Sequence, residues 1–172
     1  PCLNEADGLA AFLARMTTAA EATGLSYEIV LVDDGSTDQT WTRMVEARAN
    51  NSHLRAVRLS RNFGHQRALS AGLSRARGER VLLIDADLQD PPEALGPMLD
   101  LMEAQQADVV YGRRLERAGE GLFKRVSARL FYRVLRWLSS TDIPTDTGDF
   151  RLLSSRIVAH LNAMPEQQRY LR

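Results

Sequence analysis

Two aspartates one residue apart, Asp85 and Asp87, follow the apolar run Val81-Leu82-Leu83-Ile84 and precede Gln89. On an extended backbone alternate side chains share a side, so this spacing turns both carboxylates one way and adds the Gln89 oxygen at the same period. Such a set outlines a hard-cation site. Mg2+ or Mn2+ favours carboxylate and carbonyl oxygens and completes its shell with water and substrate phosphates, so a diphosphate would fit. Aspartates at strand ends also serve as turn formers and helix caps. Here the apolar strand before the pair, and Gln89 and Pro91-Pro92 after it, favour the chemical reading.

A second constellation, Asp33-Asp34-Gly35-Ser36-Thr37-Asp38, joins a strand end, a glycine turn and a helix start. Ser36 or Thr37 is a candidate cap for a helix whose first amides could face an anion. One of the two aspartates is placed to accept a hydrogen bond from a base imide or a ribose hydroxyl, as an acid after a strand does in dinucleotide folds. Capping accounts for Ser36, Thr37 and Asp38 but not for the adjacent pair.

These residues need a scaffold, and the apolar periodicity supplies one. Leu9, Phe12, Leu13 and Met16 follow helical spacing up to a stop at Gly24, and Tyr27 to Val32 reads as a buried strand. The order then recurs: a helix over 37–49, a strand over 54–59, a helix over 65–77 closed by Gly78, and a strand over 80–84. A helix opened by Pro92 runs to about Gln105, and Asp108 to Tyr111 is a further strand. Strands alternating with helices predict an α/β fold, a mostly parallel sheet flanked by helices. In such sheets ligands bind beyond the carboxyl ends of the strands, which is where the 33–38, 60–64 and 85–89 segments fall. The stretches 113–121 and 139–148 read as irregular.

With 172 residues, 44% of them hydrophobic, the chain can bury one sizeable core, so a single domain over 1–172 is expected. Its 22 basic and 22 acidic side chains cancel, which gives no case for nucleic-acid binding. They are unevenly spread. Residues 85–108 hold acids and no Lys or Arg, whereas 111–136 is strongly basic. The lone Cys2 rules out an intrachain disulfide. No apolar run reaches the roughly 20 residues of a membrane-spanning helix.

Taken together, Pro1-Cys2-Leu3-Asn4-Glu5, the 33–38 run, Ser60-Arg61-Asn62-Phe63-Gly64 and Asp85-Ala86-Asp87-Leu88-Gln89-Asp90-Pro91-Pro92 occur in the order of family 2 glycosyltransferases. The whole chain resembles their polyprenyl-phosphate branch, which includes dolichol-phosphate mannose synthases and undecaprenyl-phosphate glucosyltransferases. The resemblance implies a GT-A-type, Rossmann-like fold, an inverting reaction and a divalent metal, Mg2+ or Mn2+. It places Pro1, Asn4, Glu5, Asp33, Asp34, Arg61, Asn62, Asp85 and Ala86 around the nucleotide sugar, and Asp85, Asp87 and Gln89 at the metal and diphosphate. It also makes Thr147-Gly148-Asp149-Phe150-Arg151-Leu152 an acceptor-side motif, with Asp149 catalytic and Arg151 a phosphate contact. Because the opening motif normally follows a buried strand, the chain is expected to be a fragment missing its first strand. About 1–112 would bind the donor and about 113–172 would face the acceptor.

A helix over 121–138 would set Phe123, Val126, Leu130, Val134 and Trp137 on one face, beside a stripe of Arg125, Arg129, Arg133 and Arg136. That pattern suits a membrane surface, and it also suits an ordinary core helix with a solvated side. The resemblance favours the first and sets Arg114, Arg117, Arg125 and Arg129 near an acceptor phosphate, where bidentate arginine pairing is apt. The expected reaction moves a sugar, UDP-glucose being the first donor considered, to undecaprenyl phosphate at the cytoplasmic face of the membrane, any anchor lying outside this chain. A homo-oligomer is compatible with the sequence. The rivals are transfer to a carbohydrate hydroxyl of an envelope polysaccharide, for which Asp149 would be an obligatory base, and a non-catalytic nucleotide-binding module.

Overall fold

A computed structural model describes residues 1–113 and 147–166. Contacts group Pro1–Tyr111 with Asp149–Arg172 as one compact unit and Gly112–Gly148 as another; the fold below is that of the first. The helix expected over 121–138, with Arg114, Arg117, Arg125 and Arg129, lies outside the described residues.

The amphipathic opening segment forms α1 (Ala6–Glu21), which buries Leu9, Phe12, Leu13 and Met16 along one face. Gly24 follows at φ +68°, a left-handed turn residue that redirects the chain. The β-branched run then makes β1 (Ile29–Asp33). Helix α2 (Thr40–Asn50) and strand β2 (Leu54–Arg58) follow, and β2 lies parallel to β1 with Asp33 opposite Arg58. Helix α2 starts at Thr40 and not at Thr37. Asp38 Oδ1 accepts hydrogen bonds from the Thr40 amide and hydroxyl, which leaves the preceding residues free to form a loop.

Helix α3 (His65–Leu73) leads to β3 (Arg80–Leu83). A 3-10 turn at Pro92–Ala94 opens α4 (Leu95–Ala104), which is followed by β4 (Val109–Arg113). The chain returns as β5 (Thr147–Ser154) and α5 (Ser155–Ala163), whose N-cap Ser154 accepts from the Ile157 amide. Among the described residues the strands fall into two sheets, β1-β2 and β3-β5-β4, with β5 central in the second. Strand β5 is antiparallel to β3, while β1 and β2, with the Cys2 to Asp33 bridge beside them, run parallel.

Strands β1 and β3 do not pair with each other. A cavity of about 610 Å³ lies between them, walled by Ile29–Val32 and Arg80–Ile84 and lined further by Phe12, Met16, Leu69, Leu73, Leu95 and Leu99. The core proper is built where α1 packs on β1 and α2, and where Met98 and Met102 of α4 meet Val110, Phe150 and Leu152. Among the described residues no helix is long and apolar enough to cross a membrane.

Candidate functional site

The loops at the strand ends form a rim, and two of them are stitched into one unit. Asn4, itself at φ +56°, receives the Thr37 amide on Oδ1 at 2.9 Å, while its own amide donates to Ser36 Oγ at 3.0 Å. The Glu5 amide donates to Thr40 Oγ1 at 2.9 Å and the Ala6 amide to Asp38 Oδ2 at 3.2 Å. Helix α1 has no cap from its own N-cap residue, Glu5; residues of the next rim loop supply it instead. Pro1 is half-buried, and Cys2 donates to the Val32 carbonyl and accepts from Asp34, pinning this segment beside the end of β1.

Asp33 and Asp34 are both buried and both engaged with backbone amides. Asp33 Oδ1 accepts from Ser36, and its Oδ2 stands 3.3 Å from Arg58 Nε. Asp34 accepts from Phe63 at 2.8 Å and from Gly64 at 2.9 Å, one on each oxygen. Between these loops Gly35 has φ +73°, and a Cβ there would lie 2.4 Å from the Arg61 carbonyl carbon. Only glycine permits that approach. Asn62 turns its Oδ1 onto the Gly64 amide, and the exposed Arg61 guanidinium lies 4.3 Å from the Phe63 ring centre.

The Asp85 segment differs from its expected shape. The strand ends at Leu83, Ala86 and Asp87 form a turn, and Leu88 takes a left-handed φ of +60°. The carboxylates therefore do not alternate along an extended chain. Asp87 Oδ1 accepts from the Gln89 amide at 3.0 Å, Asp87 and Gln89 are exposed, and Ala86 is buried in the core. Asp85 carries the clearer chemical signal, because its Oδ1 is buried and, among the described residues, accepts no hydrogen bond. Burial, with Asp87 and Asp149 nearby, pushes its carboxyl above the usual range, though the neighbouring His65 pulls it back. Glu5 is pushed upward too, first by burial and then by Asp87, Asp38 and Asp85, which marks all four acids as neighbours in one electrostatic field.

Strand β5 brings the last acid to this rim. The β3-β5 register pairs Arg80 with Ser154 and Leu83 with Arg151, and Asp85 and Asp149 each lie two residues beyond that last pair. Arg151 lies two residues further along the same strand and is half-buried. Asp149 Oδ2 receives His65 Nε2 at 2.7 Å and Gln66 Nε2 at 3.3 Å, both from the first turn of α3. His65 Nε2 is also 3.6 Å from Asp85 Oδ1. The Asp149 hydrogen bond raises the pKa of His65 above its ordinary value, and Asp85 adds to the rise against the opposing effect of burial. Neither His65 nor Gln66 was singled out from the sequence, although both directly follow the Asn62-Phe63-Gly64 strand-end motif; that position was the available signal.

The site therefore gathers Glu5, Asp38, Asp85, Asp87, His65 and Asp149, with Asn4, Asp33 and Asp34 bracing the loops from below. Among the described residues no three His, Cys, Asp or Glu side chains form a ready-made metal cage. The chemistry nonetheless fits a hard divalent cation shared with a ligand. Asp85 offers an orphaned buried oxygen, Asp87 a second carboxylate, and the negative field would be relieved by positive charge.

The sequence pattern described as Glycosyl transferase family 2 matches residues 1–161. An uncharacterized glycosyltransferase of Synechocystis sp. is 39% identical over all of this chain and 54% of its own length. A prophage bactoprenol glucosyl transferase homolog of Escherichia coli is 33% identical over all of this chain and 56% of its own length. The chain thus spans about half the length of the curated relatives it matches. A solved mannosyltransferase from Pyrobaculum calidifontis, in complex with GDP-Man and Mn2+, superposes with a TM-score of 0.67 at 23% identity, over 96% of this chain and 46% of that one. At that identity the likeness is one of fold, the GT-A type expected from the sequence.

Proposed function

This chain belongs to glycosyl transferase family 2, and from that premise we propose that it moves a sugar from a nucleoside diphosphate donor to a polyprenyl phosphate at a membrane surface. The observation that carries the reading is that His65 Nε2 reaches both Asp149 Oδ2, at 2.7 Å, and Asp85 Oδ1, at 3.6 Å, so that the two acids proposed for the acceptor and the donor sides share a single rim. Relatives named as bactoprenol glucosyl transferases, 33% identical over the whole chain, support the lipid-phosphate acceptor and a glucose donor.

In this reaction an acceptor phosphate oxygen attacks the anomeric carbon, the bond from that carbon to the diphosphate breaks, and configuration inverts. Asp85 and Asp87, with Gln89, would hold Mg2+ or Mn2+, which when bound neutralises charge gathering on the departing diphosphate. Asp33 and Asp34 brace the rim loops through their backbone hydrogen bonds, against which the nucleoside would sit, beside Asn4, Glu5, Arg61 and Asn62. Arg151 would meet the acceptor phosphate. A phosphate monoester with a second pKa near 6 is already largely ionised at neutral pH, so Asp149 has no obligatory proton to remove and instead orients the acceptor.

The test is transfer by the natural full-length protein in detergent, with radiolabelled nucleotide sugars, Mg2+ or Mn2+ and undecaprenyl phosphate. Metal-dependent label in the lipid fraction, lost in Asp87→Ala, is the expected result. Turnover only with a soluble glycan acceptor would replace the lipid reading by a hydroxyl acceptor, and failure to bind any nucleotide sugar would refute both.

A further inference from the structure

Two acids, Asp85 and Asp149, flank one ring nitrogen, and like charges held so close repel. His65, the first residue of α3, brings Nε2 to 2.7 Å from Asp149 Oδ2, and the same ring nitrogen faces Asp85 Oδ1 at 3.6 Å. An ionised carboxylate can only accept, so the hydrogen sits on Nε2 and the ring donates it. The Asp149 side chain is 11% exposed, which leaves water little room to substitute for that donor. The helix end carrying the ring is itself braced: Asp34 Oδ2 grips the Gly64 amide, and the Arg67 and Ala68 amides donate to the Gly64 carbonyl.

We propose that His65 is a positioning residue for sugar transfer: its Nε2 hydrogen bond fixes the rotamer of Asp149 beside Asp85, and Gln66 is the lesser donor. The inference rests on the reading of Asp149 as the acceptor-side carboxylate. The imidazole suits the task because it is a flat, short-stemmed donor whose direction is set once two torsions are set.

In the full-length protein, His65→Leu should lower kcat about 10- to 100-fold, the range given by losing one hydrogen bond to a charged group. KM for the nucleotide sugar should stay within about twofold, since the hydrogen bond removed is the one made to Asp149. His65→Gln keeps an N–H near the place of Nε2 and should recover most of the loss. In an Asp149→Asn background His65→Leu should cost little more, because the two changes remove one interaction. A loss shared equally by the Leu and Gln variants, full additivity with Asp149→Asn, or no loss at all would each overturn the proposal. A readout independent of turnover separates this from the reaction itself. The 15N NMR signals of the ring, assigned by their disappearance in His65→Gln, should report an Nε2-protonated, hydrogen-bonded imidazole that changes in Asp149→Ala. Signals indifferent to Asp149 refute the positioning role, whereas a protein that transfers no sugar but shows the coupled ring refutes the reaction and leaves this contact standing.

Discussion

Replacing Asp34 by Asn tests whether the rim is held together as described. Asp34 is 3% exposed and uses both oxygens, accepting from Phe63 at 2.8 Å and from Gly64 at 2.9 Å. Asparagine has nearly the same shape but can meet only one of those amides with an oxygen; its own NH2 must face the other. Gly64 retains a second acceptor in Asn62 Oδ1, so the main costs are one lost charge-assisted bond and one poorly satisfied buried NH2. Those terms amount to about 2–3 kcal/mol, and for a domain of this size the unfolding midpoint should fall by about 5–10 °C. Asp34→Ala removes both acceptors, leaves the Phe63 amide without this partner, and should cost about 3–5 kcal/mol. Urea and thermal unfolding of the two variants measure this directly. Because Gly64 leads into His65, both variants should also lose transfer activity under conditions where they remain folded. If both unfold within about 1 °C of the parent, the argument that Asp34 braces this rim is wrong.

Gly35→Ala forces a side chain toward the Arg61 backbone at a positive φ, and should destabilise the domain by at least about 2 kcal/mol, seen as a lower urea midpoint. Glu5→Gln should do the reverse. The folded-state pKa of Glu5 is raised, so its stabilising contribution is present below the unfolded carboxylate pKa and is lost as pH rises through the folded value. The metal-free variant should therefore melt higher than the parent at pH 7 and lose that advantage at low pH; a difference that does not depend on pH would refute it. The buried Cys2 thiol is pushed up to about 11, so alkylation at pH 8 should be slow in the native chain and on the order of 100-fold faster after unfolding in urea.

Much of the rim was legible because strand ends advertise themselves. An apolar β-branched run ending in Asp33-Asp34-Gly35, or in Asp85-Ala86-Asp87, marks both the element and the edge where ligands gather. The conformation of Asp85 to Gln89 was not legible. The spacing Asp-x-Asp-x-Gln suggests an extended chain, yet the backbone turns at Ala86 and passes through a positive φ at Leu88, a choice that local periodicity does not encode. The start of α2 was set by Asp38 bonding Thr40, a local competition that a reading by hydrophobic period places too early.

The sequence by itself determined the alternation of helices and strands, the rim on which polar residues collect, and the family to which those motifs belong. These depend on side-chain period and short-range turn chemistry, which act over a few residues. Only the tertiary structure decided which acids meet. Strand β5 starts in a segment, 139–148, that the sequence marked as irregular, and it inserts between β3 and β4, antiparallel to β3. That pairing ends beside the rim, where Asp149 and Asp85 both meet His65 of α3. The physical reason is that strand order and register are fixed by which faces bury together, here Leu82, Leu152 and Phe150 against α4. A burial pattern assembled from distant segments has no local trace in the residues it unites.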